Sequence, residues 1–259
     1  MSARAHWTVG FAVLVGFMLS ACAGDTGSAE DPGQTPTQDV AGDEHDATGT
    51  TGAALAMADI EVFEEIAPGT YYVDADGNPE TPPRVEFTVA EEGWFAWTGT
   101  YKEQAGHDVQ LVGLTIATVT HIVADPCSRH TWDDPGPSVD DLVAALAALP
   151  GLEPTTAPTE VTAYGYHGRY LELTVPQLAH EPAAGFTDCV GGYLYTYRGE
   201  AEWGRTLSRF YQGPGQILEI WVLDVEGTRL LIEATRFPDS PPEDVDELQA
   251  ILDSIHIEA

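Results

Sequence analysis

Positive charge is scarce in this sequence. It holds 10 lysine and arginine residues against 42 aspartate and glutamate residues, which gives a formal net charge of -32. Binding to nucleic acid or to an anionic lipid surface depends on clustered cations, so the composition excludes both as general binding modes. The excess of acid favours a self-repelling monomer. The alternative is that it attracts cations or a basic partner.

Catalytic motifs are also missing. The sequence contains no G-x-S-x-G elbow, no H-E-x-x-H pair and no phosphate-binding glycine loop. We therefore predict that the protein is not an enzyme and needs no cofactor and no metal. An envelope hydrolase would require the fold to bring His130, His167 and a carboxylate into one cleft.

The amino-terminal residues have the features of an export signal. Arg4 and the terminal amine supply positive charge, and an apolar run follows from Trp7 to Leu19. That run is too short to span a bilayer and has the length of a signal-peptide core. After Cys22, no apolar run reaches the roughly 18 residues of a transmembrane helix.

The end of this leader resembles a known processing signal. Leu19-Ser20-Ala21-Cys22 resembles the lipobox of bacterial lipoproteins, in which small residues precede an obligatory cysteine. The resemblance implies that residues 1–21 are a signal peptide and that Cys22 is the lipid attachment site. Two acyl chains, such as palmitate, anchor a protein stably without a spanning helix. We expect a lipoprotein bound to membrane lipid through acylated Cys22, on the extracytoplasmic face of the cell membrane.

Residues 22–58 are predicted to form a lipidated, disordered linker. Small, hydroxyl-bearing and acidic residues dominate this stretch, which has no aromatic residue, lysine or arginine. Such a segment cannot bury enough apolar surface to offset the entropy cost of ordering. About 35 residues of flexible chain have a reach of roughly 30 Å, enough to lift a domain off the lipid.

Residues 59–259 are predicted to form a single globular domain rich in β-strands. Apolar and β-branched runs lie between turn signals, and the longest of them is Val109–Val123. Thr159–Val175 is predicted to turn at His167-Gly168, and the clearest hairpin turns at Glu226-Gly227. Short turns between consecutive strands favour an antiparallel sheet.

Apolar stripes at helical spacing predict two amphipathic helices. One covers residues 139–149 behind a capping box of Ser138 and Asp141, and the other follows a capping box of Ser240 and Glu243. We expect both helices to cover one face of the antiparallel sheet. The predicted fold class is therefore α+β, an α/β sandwich.

The order of elements at the carboxyl end carries a second resemblance. A hairpin at Gly227, a helix and the stretch Ser254-Ile255-His256-Ile257 are similar to the PsbP-like sandwich of many actinobacterial lipoproteins. The resemblance implies a binding or accessory role rather than catalysis. Fold analogy alone does not identify the ligand.

Three cysteines are present, and lipidation of Cys22 leaves Cys127 and Cys189 as an even pair. Outside the cytoplasm such a pair predicts a disulfide. In the chain-entropy model, closing a loop of about 60 residues stabilises a fold by roughly 4 kcal/mol. A zinc site is the alternative, with ligands drawn from Cys127, Cys189, His130, His167 and His180.

Two further patterns have both a structural and a functional interpretation. Asp74–Glu80 alternates oxygen-bearing side chains like a calcium loop, but a turn explains it without an ion. Trp94, Phe95, Trp97 and Tyr101 form a dense aromatic patch in a predicted strand. Alternation places Trp94 opposite Phe95 and Trp97, so one set can be exposed and suit a carbohydrate or a peptide partner.

These patterns predict a non-catalytic lipoprotein that presents a binding domain to an unknown protein or small-molecule partner in the cell envelope. The alternative function is a carrier of a small apolar, lipid-like ligand. A closed core favours the interaction domain, whereas a large apolar cavity between helices and sheet favours the carrier.

The cysteine assignment predicts that the processed protein has no free thiol, because one sulfur is alkylated and two are oxidised. Maleimide added without reductant should attach no label, and two labels should appear after reduction. Labelling of two cysteines before reduction would contradict the disulfide.

Overall fold

The fold is α+β, with mostly antiparallel strands and two α-helices among the described residues. The computed structural model describes residues 53–103, 110–175, 186, 189–201, 205–211 and 213–259. The predicted signal peptide, Cys22, most of the linker and His180 lie outside these ranges. None of the described helices is long and apolar enough to cross a membrane.

Sixteen strands and two α-helices follow one another along the described part of the chain. The strands in the first half are β1 (Leu55–Ala56), β2 (Glu65–Ile66), β3 (Gly69–Asp74), β4 (Arg84–Val89), β5 (Trp94–Trp97), β6 (Gly99–Glu103), β7 (Gln110–Asp125) and β8 (Ser128–Asp133). Those in the second half are β9 (Glu153–Pro154), β10 (Thr159–Ala163), β11 (Tyr166–Thr174), β12 (Leu194–Ala201), β13 (Arg205–Tyr211), β14 (Ile217–Val225), β15 (Thr228–Arg236) and β16 (His256–Glu258). The helices are α1 (Val139–Ala147) and α2 (Pro242–Asp253).

The strands form a small sheet and a large one. The small sheet has the order β1-β3-β4-β16, and the main path of the large sheet is β10-β11-β14-β15-β7-β6-β5-β2. Strand β7 is the branch point, because its first half pairs with β6 and β15 and its second half pairs with β8 and β12. Residues 110–123 of the longest apolar run in the sequence thus lie in one strand.

Alternation along the central strands creates two hydrophobic cores. On β15, Leu230 and Ile232 enter the first core, while Leu231 between them enters the second. The small sheet and α2 also contribute to the first core, and α1 with the β12–β13 hairpin contributes to the second. Because successive side chains point to opposite faces, both faces of the large sheet are covered.

The helices therefore lie on opposite faces of the large sheet, and the prediction that both cover one face is wrong. Leu142 and Leu146 of α1 belong to the second core, and Leu248 and Leu252 of α2 belong to the first. An apolar stripe shows which side of a helix is buried. It does not show which face of a sheet the helix covers.

The two predicted helix caps have different outcomes. Ser138 accepts from the Asp141 amide and Asp141 accepts from the Ser138 amide, so the capping box of α1 is confirmed. No side chain caps α2. Ser240 instead accepts from the Phe237 amide and donates to the Leu111 carbonyl, which ties the start of α2 to β7.

The turn between β10 and β11 differs from its predicted position. The chain turns at Tyr164 and Gly165, which both have positive φ. Gly168 instead lies within β11, where a Cβ atom would stand 2.1 Å from the Val222 carbonyl oxygen. A glycine required for close packing of two strands resembles a turn glycine in sequence.

The fold starts before the predicted boundary at residue 59. Strand β1 pairs in parallel with β3, and Met57 is fully buried in the first core. The disulfide joins Cys127 after β7 to Cys189 before β12, and because both sulfurs are oxidised, the alternative zinc site has lost its thiolate ligands.

Protein donors engage two acidic side chains of the Asp74–Glu80 segment. Asp74 forms an ion pair with Arg84 at 2.8 Å. Asp76 accepts from the Asn78 amide and from the Thr81 hydroxyl. This network is that of an Asx turn connecting β3 to β4, as the turn interpretation predicts.

The close approach of β6 to β7 predicts a large effect for one alanine substitution. Gly99 has φ 132°, and a Cβ atom there would lie 2.4 Å from the Leu114 carbonyl oxygen. Gly99→Ala should lower the free energy of unfolding by at least about 3 kcal/mol. Gly227 also has positive φ but has open space around it, so Gly227→Ala should cost only about 1 kcal/mol. Equal losses in urea unfolding would exclude the steric explanation.

Candidate functional site

An aromatic ridge lies at the β5–β6 hairpin. It consists of Phe95, Trp97 and Tyr101 from the hairpin and of Phe63 from the chain segment before β2. Trp94, on the other face of β5, is fully buried in the first core. Phe95 and Trp97 are half-buried on the opposite face, and Tyr101 faces Phe95 across the strand pair. The surface is therefore formed by Phe95 and Trp97, and Trp94 belongs to the core.

Phe63 completes the ridge from the chain segment before β2. Its ring stacks on Trp97 with centroids 5.4 Å apart and an interplanar angle of 20°. It also meets Tyr101 edge-on at 6.4 Å, and Tyr101 stacks with Phe95 at 5.5 Å. Phe63 is 62% exposed, the largest exposed fraction among the large hydrophobic side chains described.

The backbone holds Phe63 in an unfavourable conformation. Its φ is 71°, in the left-handed region that bulky residues rarely adopt. Two hydrogen bonds fix this turn against β5, from the Phe63 amide to the Ala96 carbonyl and from the Ala96 amide to the Glu64 carbonyl. A strained aromatic that remains exposed is a feature that core packing does not require.

Carboxylates border the ridge. Glu65 lies directly opposite Phe95 in the β2–β5 pair, and Glu103 lies two residues beyond Tyr101 on β6. Paired or alternate positions in a sheet share a face, so both carboxylates lie on the ridge face. Lys102 lies on the other face, where its ammonium binds Asp244 at 3.0 Å and Glu247 at 2.6 Å.

Small and polar residues continue the ridge face across β6, β7 and β15. Thr115 pairs with Gly99 on one side and with Glu233 on the other. Gln110 donates to the Thr235 hydroxyl at 2.9 Å in the same region. The indole nitrogen of Trp97 is buried without a hydrogen-bond partner in the described part of the chain.

A buried ion pair lies at the end of this row. Arg209 Nε on β13 donates to Glu233 Oε1 on β15 at 2.7 Å, and the two side chains are 5% and 0% exposed. Arg209 Nη1 donates to the Phe210 carbonyl. Burial opposes the charge on Arg209, but the facing Glu233 carboxylate raises the arginine pKa above its ordinary value.

Two tyrosines surround the ion pair. The Tyr211 hydroxyl donates to Glu233 Oε2 at 3.1 Å, and the buried Tyr197 hydroxyl interacts with the same carboxylate and with Arg209. Burial, followed by the negative charge of Glu233, raises the pKa of both phenols well above 10.0. Both tyrosines are therefore neutral at physiological pH.

A second aromatic cluster lies on the β12–β13 hairpin. Tyr193 packs on Phe210 with centroids 4.4 Å apart, and Tyr195 approaches Phe210 at 6.0 Å. Tyr193 is 41% exposed. This cluster was not predicted from the sequence, because Tyr193 and Phe210 lie far apart in the sequence, whereas Phe95, Trp97 and Tyr101 lie close together.

Two of the surface grooves lined by described residues bear on ligand binding. The larger, of about 490 Å³, lies at the amino end of α1. Its arginines are already engaged, since Arg169 binds Asp140 at 2.7 Å and Arg229 donates to the carbonyls of Val119 and Ser138. The smaller, of about 230 Å³, lies between α2 and β4–β5.

The histidines of the hydrolase and zinc alternatives are not brought together by the described residues. His167 lies on the β10–β11 hairpin, where its Nδ1 contacts the Thr162 hydroxyl. The side chain of His130 and all of His180 lie outside the described part of the chain. Among the residues that are described, no group of three or more His, Cys, Asp or Glu side chains could hold a metal ion.

The buried ion pair predicts strong coupling between its members. Arg209→Met leaves an uncompensated buried carboxylate and should lower the free energy of unfolding by about 3–5 kcal/mol. Glu233→Leu should cost a similar amount. The double variant should cost much less than the sum of the two, as measured by urea unfolding. Additive losses would show that the pair contributes no coupling energy.

Comparisons with known proteins show only distant similarity. No protein-family model matches the chain, and no curated protein matches it. The solved structure of LpqN, involved in cell envelope biogenesis of Mycobacterium tuberculosis, is similar with 13% identity and a TM-score of 0.38, over 80% of this chain and 100% of that one. Cyanobacterial PsbP from Synechocystis sp. PCC 6803 is similar with 13% identity and a TM-score of 0.32, over 82% of this chain and 99% of that one. Similarity at this level carries no functional argument.

Proposed function

We propose that the protein is a lipid-anchored, extracytoplasmic binding protein without catalytic activity, and that the aromatic ridge is its contact surface. The observation that carries this proposal is Phe63, a strained aromatic side chain that is 62% exposed and stacks on Trp97. Exposed, rigid aromatics are enriched at the centres of protein interfaces. Core packing alone would bury such a ring.

The location rests on the amino-terminal sequence. The lipobox-like segment ending in Cys22 supports removal of residues 1–21 and acylation. The acidic linker that follows supports a domain held at some distance from the lipid. Placement of α1 and α2 on opposite faces of the large sheet supports the PsbP-like sandwich as its architecture.

Carriage of a small apolar ligand is the weaker alternative. The second core contains the Arg209–Glu233 ion pair, and a charged pair is a poor lining for a lipid-like molecule. The larger groove is bordered by charged side chains. The smaller one, at about 230 Å³, falls below the several hundred Å³ typical of ligand pockets.

Photo-cross-linking in intact cells tests the ridge as the contact surface. A photoreactive phenylalanine analogue at position 63 should form a specific adduct, because the ring is exposed on the ridge. The matched control carries the analogue in place of Tyr193, the exposed aromatic of the other cluster. Adduct yield from position 63 should exceed that from position 193 by about tenfold or more. Equal yields, or an adduct from position 193 alone, would contradict the proposal.

A further inference from the structure

The chemistry of the ridge identifies a class of partner. Resting on the proposed function, we propose that the ridge binds a basic peptide segment and places arginine or lysine side chains against its rings. The juxtaposition that carries this inference is an aromatic surface with the exposed Phe63 ring, framed by carboxylates that form no ion pair with any described cation.

Acidic residues frame the ridge on several sides. Glu65 lies opposite Phe95, and Glu103 follows Tyr101 on the same face of β6. Glu61 and Glu64 flank Phe63 in its turn. The Glu61 amide donates to a carboxylate oxygen of Glu64, and the Glu64 amide donates to the Glu61 carbonyl. Glu61, Glu64 and Glu65 are exposed, and Glu103 is half-buried.

No described cation compensates this charge on the ridge face. Lys102 is the only basic residue on β2, β5 and β6, and its ammonium binds Asp244 and Glu247 on the opposite face. A cation supplied by a partner would therefore meet carboxylates that form no ion pair within the described part of the chain. It would not have to displace an existing ion pair.

The aromatic rings suit the same cation. Arginine and lysine are attracted to aromatic faces within about 6 Å of the ring centroid. This chain uses the arrangement internally, with Arg84 4.2 Å from the Tyr72 centroid and Arg198 5.2 Å from the Trp132 centroid. The exposed surface of Phe63 offers a ring of that kind to solvent.

Long-range charge favours the same class of partner. A net charge of -32 accelerates the encounter with a cationic segment and repels an anionic membrane. A neutral oligosaccharide would stack on the rings but would gain nothing from the net charge of the carboxylates. Charge complementarity therefore separates the basic peptide from the other occupants.

Fluorescence anisotropy on the processed chain, residues 22–259 in detergent, tests the inference. The first probe is a labelled Gly-Ser peptide with spaced arginines. The second replaces each arginine with citrulline, which keeps the shape and removes the charge. The third is a labelled neutral oligosaccharide. We expect the arginine peptide to bind at least about tenfold more tightly than the citrulline peptide, with affinity falling as salt rises.

Matched variants separate the ridge from the overall charge. Glu65→Gln with Glu103→Gln should weaken binding of the arginine peptide by about fivefold to tenfold. Glu153→Gln with Glu200→Gln makes the same change in net charge at exposed sites on β9 and β12, and should leave affinity within about twofold. Phe63→Gly removes the ring at a backbone conformation that glycine adopts freely, so it should weaken binding without unfolding the protein.

The outcomes distinguish this inference from the proposed function. Equal binding of the arginine and citrulline peptides, or binding of the oligosaccharide alone, would overturn the basic partner and leave the ridge as a contact surface. Equal weakening by the two double variants would show that only the overall charge matters. That result would also overturn the proposal of a basic partner at the ridge. Full binding by Phe63→Gly, with Tyr193→Ala as its control, would instead overturn the ridge as the site.

Discussion

Burial on both faces of the large sheet is the constraint on which the rest of the structure depends. On β15, successive side chains point alternately into two different cores: Leu230 and Ile232 into the first and Leu231 into the second. Such alternation between two cores is possible only when both faces of the sheet are covered. The small sheet and α2 cover one face, while α1 and the β12–β13 hairpin cover the other. The polar row from Thr115 to Glu233 lies on this second face, and the ridge lies at its outer end.

Because both faces of the large sheet are buried, a charged side chain on β15 needs a partner of opposite charge in the core. Glu233 occupies a position on β15 where alternation points its side chain into the second core, and it is 0% exposed. Its charge is balanced by Arg209 and by the Tyr211 hydroxyl, which both come from β13. The β12–β13 hairpin is thereby tied to the large sheet by directional contacts. These contacts add to the backbone pairing of β12 with β7.

Local patterns in the sequence predicted the elements but not how distant elements meet. The Ser138 cap, the long strand β7, the Glu226-Gly227 hairpin and the cysteine pair all follow from residues close in sequence or from simple counting. Alternation along β5 also separated Trp94 from Phe95 and Trp97. The predicted cap at Ser240 is wrong because its hydroxyl donates to the Leu111 carbonyl, which belongs to a distant element. Phe63 and the Arg209–Glu233 pair gave no local signal for the same reason.

The distribution of cations explains why the aromatic ridge, rather than charge, defines the proposed site. Among the described side chains, Arg84, Lys102, Arg169, Arg209 and Arg236 all pair with carboxylates of the chain itself. Arg229 is bound by backbone carbonyls. Because the few cations are used within the chain, acidic residues remain widely distributed over the surface. The resulting negative field attracts a basic partner but does not determine where that partner binds. Short-range contacts must make that choice, and Phe63 stacked on Trp97 supplies an exposed ring among carboxylates where a cation can be both stacked and neutralised.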